Sequence, residues 1–413
     1  MAPTIMSRCG KISTPPPSTS HPSAWLWEWG GGHFRAFWQI WLTFSSIIYI
    51  LVFSHTPQKE PTHYCIHVEG SPGHRKACLP ARDSKRGCLW SSARAPRFWY
   101  DVAALNTVQF SNHTGYGQWT GTKVSAQEIT DLYNGLCQSY LDDFDMMLSG
   151  YIPSAEAVVA VGNIARELKE KNKGAPSDFF WVLDPVMGDN GKIYVAEDVV
   201  PAYKGLIAYA DLILPNQFEA ELLSEVKIVD MESLKSAIQA LHDKYRIPHV
   251  IITSVNFSQP GQSPSHLSVV GTSMASARKA RLFQITFPSI DCYFCGTGDM
   301  FGALVTARMR EAVRAVPGLI DRPSWLSDDS VTAAHLPLAR ATEKVLASMH
   351  EVLAKTRDGM QSVVERTKAD LTEEQRASGT GEQQIKSKAS ELRLVQNLES
   401  LRSPSVKFEA RPI

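Results

Sequence analysis

Apolar and polar positions alternate in a regular way along the chain after residue 100. Short apolar runs are followed by segments in which apolar residues recur at helical spacing, as Val161, Ile164 and Leu168 do. The strand candidates are 102–110, 144–149, 179–186, 211–215 and 249–253. Short buried strands that alternate with amphipathic helices predict an α/β fold, in which helices cover both faces of a mostly parallel central sheet.

Helix and hairpin signals fill the intervals between these runs. A capping box at 125–128 predicts a helix start. Residues 265–288 hold two strand-like runs joined by Gly, Ser and Ala, which predict a hairpin. Helices are expected to begin at Gly298 or Asp299 and at Pro337. Residues 357–391 are rich in Lys, Glu and Gln, and this composition predicts a solvated helix or flexible insertion rather than a binding site.

Composition divides the chain near residue 100. The 413 residues carry 42 Lys+Arg and 42 Asp+Glu, so no overall field favours nucleic acid and any anion site must be local. Seven of the ten tryptophans lie in residues 1–100. Residues 36–53 carry no charge and just reach the length of a membrane-spanning helix. We therefore separate an atypical leader (1–100), which is misassigned, disordered or membrane-anchoring, from a main domain (101–413).

The seven cysteines are scattered and odd in number, which argues against a disulfide framework. Cys292 and Cys295 have the C-x-x-C spacing, but no second pair and no histidine stand at ligand spacing. Buried thiols are therefore favoured over a zinc or redox site.

The strongest chemical signal is a glycine turn that leads into a predicted helix. Gly296, Thr297 and Gly298 would gather free backbone N–H groups at the positive end of that helix, an arrangement that binds phosphate oxygens. Asp299 follows at once, and its carboxylate could take a proton from an attacking hydroxyl. The simpler alternative is that Asp299 only caps the helix.

Other polar motifs also follow predicted strands. Asp184 and Asp189 flank a turn and could hold Mg²⁺ with a polyphosphate, or could simply form the turn. Asn216 and Glu219 lie at a loop-to-helix junction, where a plain helix start explains them equally well. In the polar turn at 111–117, His113 is predicted to be a hydrogen-bonded structural histidine. Because strand carboxyl ends share one edge of a parallel sheet, one crevice could receive all these motifs.

Taken together, the motifs resemble one family. The runs FSNHTGY (110–116), LSGY (148–151), NQFEAELL (216–223) and GTGD (296–299) occur in the order and near the spacing of pyridoxal kinases, which have the ribokinase-like α/β fold. The similarity covers about residues 101–316, and 391–410 resembles the closing segment of the family. The resemblance implies transfer of the γ-phosphoryl group of ATP to the 5′-hydroxymethyl group of pyridoxal, pyridoxine or pyridoxamine.

The resemblance also implies roles for single residues. Asp299 resembles the catalytic base, and the anion hole would consist of Gly296, Thr297 and Gly298. The residues that would contact the vitamer are Thr114, Val108, Phe110 and Tyr151. The residues on the ATP side would be Asp184, Tyr194, Asn216, Glu219, Thr253 and Ser254, with the metal at Asp184, Asp189 and Glu219. The family further implies Mg²⁺ or another divalent ion, K⁺ as a candidate monovalent ion and a cytoplasmic homodimer. The zero net charge separately predicts that nucleic acid is not a partner.

Two departures from the family pattern keep alternatives open. Leu214 stands where the family usually has Thr, so one hydroxyl contact to the nucleotide would be lost. The opening strand of the family, with its Ser-His pair and the segment that holds substrate, is not recognisable; residues 47–52 followed by Ser54 and His55 are a faint echo. The first strand is therefore expected to be missing or replaced. A non-catalytic remnant, or another ribokinase-like kinase of sugars or hydroxymethylpyrimidine, would also explain the sequence.

Overall fold

The computed structural model describes residues 49–54, 100–174, 179–257, 265–373 and 381–413. The strands in these ranges are β1 Tyr49–Ser54, β2 Asp101–Asn106, β3 Val108–Phe110, β4 Gly121–Lys123, β5 Met146–Ser149, β6 Phe180–Leu183, β7 Gly188–Asp189, β8 Lys192–Ile193, β9 Leu212–Ile213, β10 His249–Val255, β11 His266–Met274, β12 Ala280–Pro288 and β13 Arg411–Pro412. The α-helices are α1 Ala126–Gln138, α2 Ala155–Lys171, α3 Val199–Leu206, α4 Gln217–Ser224, α5 Met231–Tyr245, α6 Thr297–Arg314, α7 Pro337–Asp358, α8 Met360–Ala369, α9 Glu382–Ala389 and α10 Leu398–Arg402.

The main sheet has the strand order β13-β12-β11-β10-β9-β6-β5-β1-β2. Its centre, β5-β6-β9-β10, is parallel. The strands on both sides of this centre are antiparallel: β1 pairs with β5 and β2, and the hairpin β11–β12 pairs with β10. The predicted α/β fold and the predicted hairpin are confirmed, and the parallel part of the sheet is its centre.

Both faces of the parallel centre are buried, as its apolar strands predict. Met146 and Leu148 of β5 belong to the core layer beneath α6 and α7, whereas Met147 between them belongs to the layer beneath α1 to α5. Residues of β6 alternate in the same way, because successive side chains of a strand point to opposite faces. On the α6–α7 side, Phe180 stacks on Trp325 with ring centroids 3.9 Å apart.

Side-chain caps fix several helix starts. Ser125 accepts the N–H of Glu128 at the start of α1, and Ser154 accepts the N–H of Ala157 at the start of α2. Such a cap satisfies a backbone donor that the helix itself leaves without a partner. These caps define where α1 begins after β4 of the two-stranded sheet and where α2 begins after β5 of the main sheet.

The strand predicted at 102–110 is divided in two. Only β2 belongs to the main sheet, whereas β3 pairs with β4 in a separate two-stranded sheet. Thr107 lies between them, fully buried, and its hydroxyl donates to the carbonyl of Tyr151 at 2.8 Å. This tertiary hydrogen bond holds the chain at the break, so β3 leaves the sheet and leads to the polar turn at 111–117.

The apolar run of the leader contributes a strand to this sheet. Residues 49–54 form β1, which lies between β5 and β2 and pairs antiparallel with both. The faint echo at 47–52 therefore overlaps a real sheet strand, although Ser54 is its last residue and His55 lies outside the described residues. The prediction that a membrane-spanning helix could cover 36–53 is wrong for residues 49–53, because they form strand β1. No helix in the described ranges is long and apolar enough to span a membrane.

Most of the leader, residues 1–48 and 55–99, lies outside the described residues, so its predicted origin is untested. All nine strands of the main sheet belong to one compact structural unit, Thr43–Ile413. Within the predicted charged insertion, α8 has no buried residue, which fits a solvated helix. The prediction is wrong for α9, because Ile385, Ser387 and Ala389 are buried and its polar side chains bind the turn at 113–117.

Candidate active site

The glycine turn does lead into a helix with an open amino-terminal end. Gly296 precedes α6 with a φ of 79°, a left-handed conformation that glycine adopts without strain, and α6 begins at Thr297, one residue earlier than predicted. Asp299 is the third residue of the helix and caps nothing, so the capping alternative is wrong. Gly298 is exposed, and the first N–H groups of the helix are therefore free to receive an anion.

Close packing of α6 on the sheet brings this end to the strand tips. A Cβ atom on Gly302 would lie 3.3 Å from Leu148 of β5 and 3.6 Å from Leu214, the residue after β9. A side chain at residue 302 would press on Leu148, so glycine permits this close approach. Leu214, which stands where the family has Thr, is 4% exposed and belongs to this core layer, so it packs against the core of the protein.

The carboxylate of Asp299 is half-buried and makes no hydrogen bond with any described residue. Burial raises its pKa from 3.8 to about 6. The group is therefore ionised at neutral pH, yet its basicity is higher than that of an ordinary aspartate. A carboxylate in this state can accept a proton from a bound hydroxyl group.

Asp184 follows β6 directly and lies beside the glycine turn. Its N–H donates to the carbonyl of Ser149 at 2.8 Å, and its Oδ2 lies 3.7 Å from where a Cβ atom on Gly298 would be. Burial, followed by the charges of Glu219 and Asp299, holds the pKa of Asp184 well above its usual range. Three carboxylates thus share one crevice, and no Lys or Arg of the described ranges is paired with them, which is an environment that suits a bound metal ion.

Glu219 ties the β9–α4 junction to the turn that follows Asp184. Its Oε1 accepts the N–H groups of Met187 at 2.8 Å and Gly188 at 3.3 Å, and its Oε2 accepts the N–H of Asn216 at 2.9 Å. Asn216 completes the link by donating to the carbonyl of Gly188 at 2.7 Å. Burial raises the pKa of Glu219 to about 7, although the three hydrogen bonds oppose the rise.

The other residues predicted on the ATP side line the same edge. Thr253 of β10 donates its N–H to the carbonyl of Pro215, and Ser254 has a φ of 55°, which interrupts the pairing of β10 and leaves its side chain exposed. The pKa of Tyr194 is raised by burial and by Glu219, Asp184 and Asp189. Asp189 itself is exposed, and its carboxylate accepts the N–H and the side-chain amide of Asn190 at 2.7 and 3.1 Å.

A metal would need ligands in addition to the described side chains. Within the described ranges, no three His, Cys, Asp or Glu side chains are placed to hold a metal ion by themselves. Magnesium in phosphoryl-transfer sites is usually held by one or two carboxylates together with substrate phosphates and waters. The half-buried carboxylate of Asp184, which makes no hydrogen bond with the described residues, fits that pattern, whereas the oxygens of Glu219 already accept three backbone donors.

The residues predicted to line the vitamer pocket lie on β3 and after β5. Val108 is fully buried, and Phe110 packs on Trp119 with ring centroids 4.2 Å apart. Tyr151 is half-buried, and burial raises its pKa, so its hydroxyl stays protonated. The pKa values of both Tyr194 and Tyr203 respond to Tyr151, which places Tyr151 close to the carboxylate crevice.

Thr114 lies in the turn that approaches the glycine cradle, which consists of Gly296, Thr297 and Gly298. It is exposed and begins a short 3₁₀ turn, Thr114–Tyr116. A Cβ atom on Gly115 would lie 2.9 Å from the Sγ of Cys295, the residue just before Gly296. The turn with Thr114 and the cradle with Asp299 are therefore in direct contact through Cys295.

Two further predictions concern this region. His113 is buried and lies 3.3 Å from the Oε1 of Glu391, so the prediction of a structural, hydrogen-bonded histidine is confirmed. Cys292 and Cys295 are free and half-buried, and burial raises the pKa of both thiols, as expected for inert cysteines. Glu391 was missed as a contact of this site because no local pattern links it to a turn 275 residues away.

The fold and this site together define a class. A glycine-lined helix terminus, a carboxylate in its first turn and two further carboxylates at the edge of a parallel sheet are the parts of a phosphotransferase that binds a nucleotide. Comparisons with known proteins agree. A family model described as phosphomethylpyrimidine kinase matches residues 121–317.

Relatives narrow the class to one family. Sheep pyridoxal kinase is 32% identical over 320 residues, which are 75% of this chain and 89% of the sheep protein, and human pyridoxal kinase is equally similar. The structure is similar to pyridoxal kinase from Leishmania donovani in complex with ADP and pyridoxamine, with a TM-score of 0.58, 26% identity and coverage of 75% and 88% of the two chains. The chain belongs to the pyridoxal kinase family, and the predicted family, fold class and kinase activity are confirmed.

Proposed function

We propose that this protein transfers the γ-phosphoryl group of ATP to the 5′-hydroxymethyl group of pyridoxal, pyridoxine or pyridoxamine. The observation that carries the proposal is the Asp299 carboxylate, which makes no hydrogen bond with the described residues and has a pKa raised to about 6. It lies in the first turn of a helix whose opening N–H groups have no partner in the described part of the chain. Related structures hold ADP with pyridoxamine or pyridoxine, or AMP-PNP with PL, which are nucleotide and vitamer ligands of the proposed kind.

The chain supplies the base and the anion site for this transfer. Asp299 takes the proton of the 5′-hydroxyl group of the vitamer, and the hydroxyl oxygen forms a bond to the γ-phosphorus of ATP. The bond from that phosphorus to the β,γ-bridging oxygen breaks, and ADP is released. The N–H groups around Gly296, Thr297 and Gly298 stabilise the negative charge on the transferred group. No covalent intermediate with the protein is required.

Substrate positioning is divided between the two sides of the crevice. Thr114, Phe110 and Tyr151 would hold the vitamer ring, because β3 and the adjoining turn combine apolar surface with an exposed hydroxyl. Val108 has no exposed surface and would support this pocket from behind. The nucleotide would lie along the strand tips, against Asn216, Thr253, Ser254 and Tyr194. Bringing the two reactants into line removes much of the entropic barrier to the reaction.

Asp184 would hold a divalent ion, with Asp189 on the same turn and Glu219 of α4 bound to that turn. A bound Mg²⁺ supplies positive charge that neutralises the phosphate oxygens. Glu219 contributes mainly by fixing the turn through its backbone hydrogen bonds. A cytoplasmic location, a homodimer and K⁺ as the monovalent ion stay predictions that follow from the family resemblance.

One alternative is favoured by a specific observation, since the matching family model is described as phosphomethylpyrimidine kinase. A substrate panel separates the two functions. The purified protein would be incubated with ATP and Mg²⁺ and with pyridoxal, pyridoxine, pyridoxamine, hydroxymethylpyrimidine or ribose, and the phosphorylated products would be measured by mass spectrometry. We expect the highest kcat/KM with a B6 vitamer. Preference for the pyrimidine would contradict the proposal, and tight ATP binding without turnover of any alcohol would indicate a non-catalytic remnant.

A further inference from the structure

The turn that carries Thr114 is bound from outside by a segment near the carboxyl terminus. In α9, Gln383 and Ser387 both donate to the carbonyl of Gly115 at 3.0 Å. The neighbouring Gln384 donates to the carbonyl of Tyr116 at 3.3 Å. The backbone on the carboxyl side of Thr114 is therefore held by a helix that is far away in sequence.

Glu391, two residues beyond the end of α9, adds the charged contact. Its Oε1 accepts the hydroxyl of Tyr116 at 2.9 Å and lies 3.3 Å from the Nε2 of His113. Thr114 and Gly115 lie between these two partners in sequence. A single carboxylate oxygen thus binds both ends of the turn that presents Thr114.

The protonation states favour this arrangement. The Nδ1 of His113 is buried and has no partner in the described residues, so the neutral ring would carry its proton on Nε2 and donate it to Glu391. Burial lowers the pKa of His113 even though Glu391 opposes the change. Burial and the Glu391 carboxylate together raise the pKa of Tyr116, so its hydroxyl keeps the proton that it donates.

The 113–117 turn also contacts the glycine cradle. The close approach of Gly115 to the Sγ of Cys295 places the turn against the residue that precedes Gly296. The side chain of Glu391 is 31% exposed, and its polar contacts within the described ranges are with His113 and Tyr116, not with Asp299 or the glycine cradle. Its influence on the reaction must therefore pass through His113 and Tyr116.

We propose that Glu391 is a positioning residue, which fixes the 113–117 turn in the shape that presents Thr114 to the vitamer without touching the substrate itself. This inference rests on the proposed function. Hydrogen bonds to a charged group are strong enough that their loss typically changes an equilibrium by tenfold or more. The loss should fall on vitamer binding, because the nucleotide side is formed by other elements.

The test compares three variants. Glu391→Ala should raise the KM for pyridoxal at least about tenfold, with the KM for ATP and kcat within about twofold of the wild type. Glu391→Gln should stay within about threefold, because its amide oxygen can still accept both donors. Glu382→Ala is the matched control, since Glu382 is an exposed carboxylate of α9 that makes no hydrogen bond with the described residues, and it should change nothing.

A double-mutant cycle and hydrogen exchange complete the experiment. Tyr116→Phe combined with Glu391→Ala should lose no more pyridoxal affinity than Glu391→Ala alone, because the two groups share one hydrogen bond. The backbone amides of 113–117 should exchange faster in Glu391→Ala than in the wild type. An unchanged KM for pyridoxal, or equal losses in both KM values and kcat, would overturn the inference.

Failure of the proposed function would look different. If the wild-type enzyme phosphorylates another alcohol and not the B6 vitamers, the proposed function fails. The KM comparison with that alcohol, together with the exchange rates, then still decides the role of Glu391. Unaltered exchange in Glu391→Ala would refute the positioning role whatever the substrate is.

Discussion

Replacing Asp299 by Asn should change activity and stability in opposite directions. The substitution keeps the size of the side chain and removes its ability to accept a proton. Because Asp299 makes no hydrogen bond with any described residue and caps no helix, few other interactions are lost. The variant therefore isolates the function of the carboxylate better than a change in a bonded residue would.

The expected loss of activity follows from general-base catalysis. A positioned base typically contributes a factor of about 10² to 10⁴ to the rate. We expect kcat of Asp299→Asn to fall at least about a hundredfold at pH 7.5, with nucleotide binding retained because the N–H groups of the cradle remain. In the wild type, kcat should decline as the pH falls through about 6, where Asp299 becomes protonated.

The stability effect has the opposite sign. The pKa of Asp299 is about 6 in the folded protein against an ordinary value of 3.8, so the fold destabilises its ionised form. This penalty is absent below pH 3.8, grows between the two values and is complete above pH 6. When complete, this penalty lowers the free energy of unfolding by about 3 kcal/mol. Asp299→Asn removes the penalty but also removes the attraction between the carboxylate and the first turn of the helix, which is about 0.3–1 kcal/mol. We expect Asp299→Asn to be more stable by about 2 kcal/mol at neutral pH.

Two measurements test this reasoning together. A coupled assay for ADP release gives kcat, and urea unfolding at pH 7.5 and pH 5 gives the free energy of unfolding. Asp321→Asn, which changes an exposed aspartate without side-chain hydrogen bonds to the described residues, should alter neither quantity. Unchanged turnover in Asp299→Asn would refute the role of the base. Lower stability at neutral pH would show that the carboxylate has a partner, and the origin of its raised pKa would then be wrong.

Three other predictions concern the surroundings of Asp299. Gly296→Ala should destabilise the fold by about 1–2 kcal/mol, measured by urea unfolding, because a side chain at a φ of 79° is strained; equal stability would contradict this backbone geometry. Glu219→Gln should cost about 1–3 kcal/mol, because its amide N–H₂ would face a backbone N–H donor, and an unchanged Tm would contradict the bonds described for this carboxylate. Asp184→Asn should raise the Mg²⁺ concentration for half-maximal activity about tenfold, and an unaltered Mg²⁺ titration would assign the ion elsewhere.

Much of the fold could be predicted because it depends on local patterns. The helical spacing of Val161, Ile164 and Leu168 predicted α2, and each apolar run in the body of the chain contains a strand. The strand at 102–110 was predicted too long, since the break depends on a hydrogen bond from Thr107 to Tyr151, which is distant in sequence. The role of α9 was missed for the same reason, because charged composition alone does not reveal a contact with Gly115.

The site shows the same division. Motif order identified the cradle and the residues after the strands, and the structure brings Asp184, Glu219 and Asp299 into one crevice. The sequence could not show that the oxygens of Glu219 already accept backbone donors. Nor could it show that Leu214 is part of the core beside Gly302. The residue roles in catalysis stay predictions until the variants are measured.

The sequence by itself determined the α/β class, the family and the glycine turn with its carboxylate, because periodicity and short motifs act through neighbours along the chain. Only the tertiary structure decided that β1 enters the sheet between β5 and β2. It also decided that burial raises the pKa of Asp299 and that Glu391 binds the turn of Thr114. The physical reason is that sheet partners, burial and long-range hydrogen bonds depend on which distant segments meet. That choice is made by the packing of the whole chain.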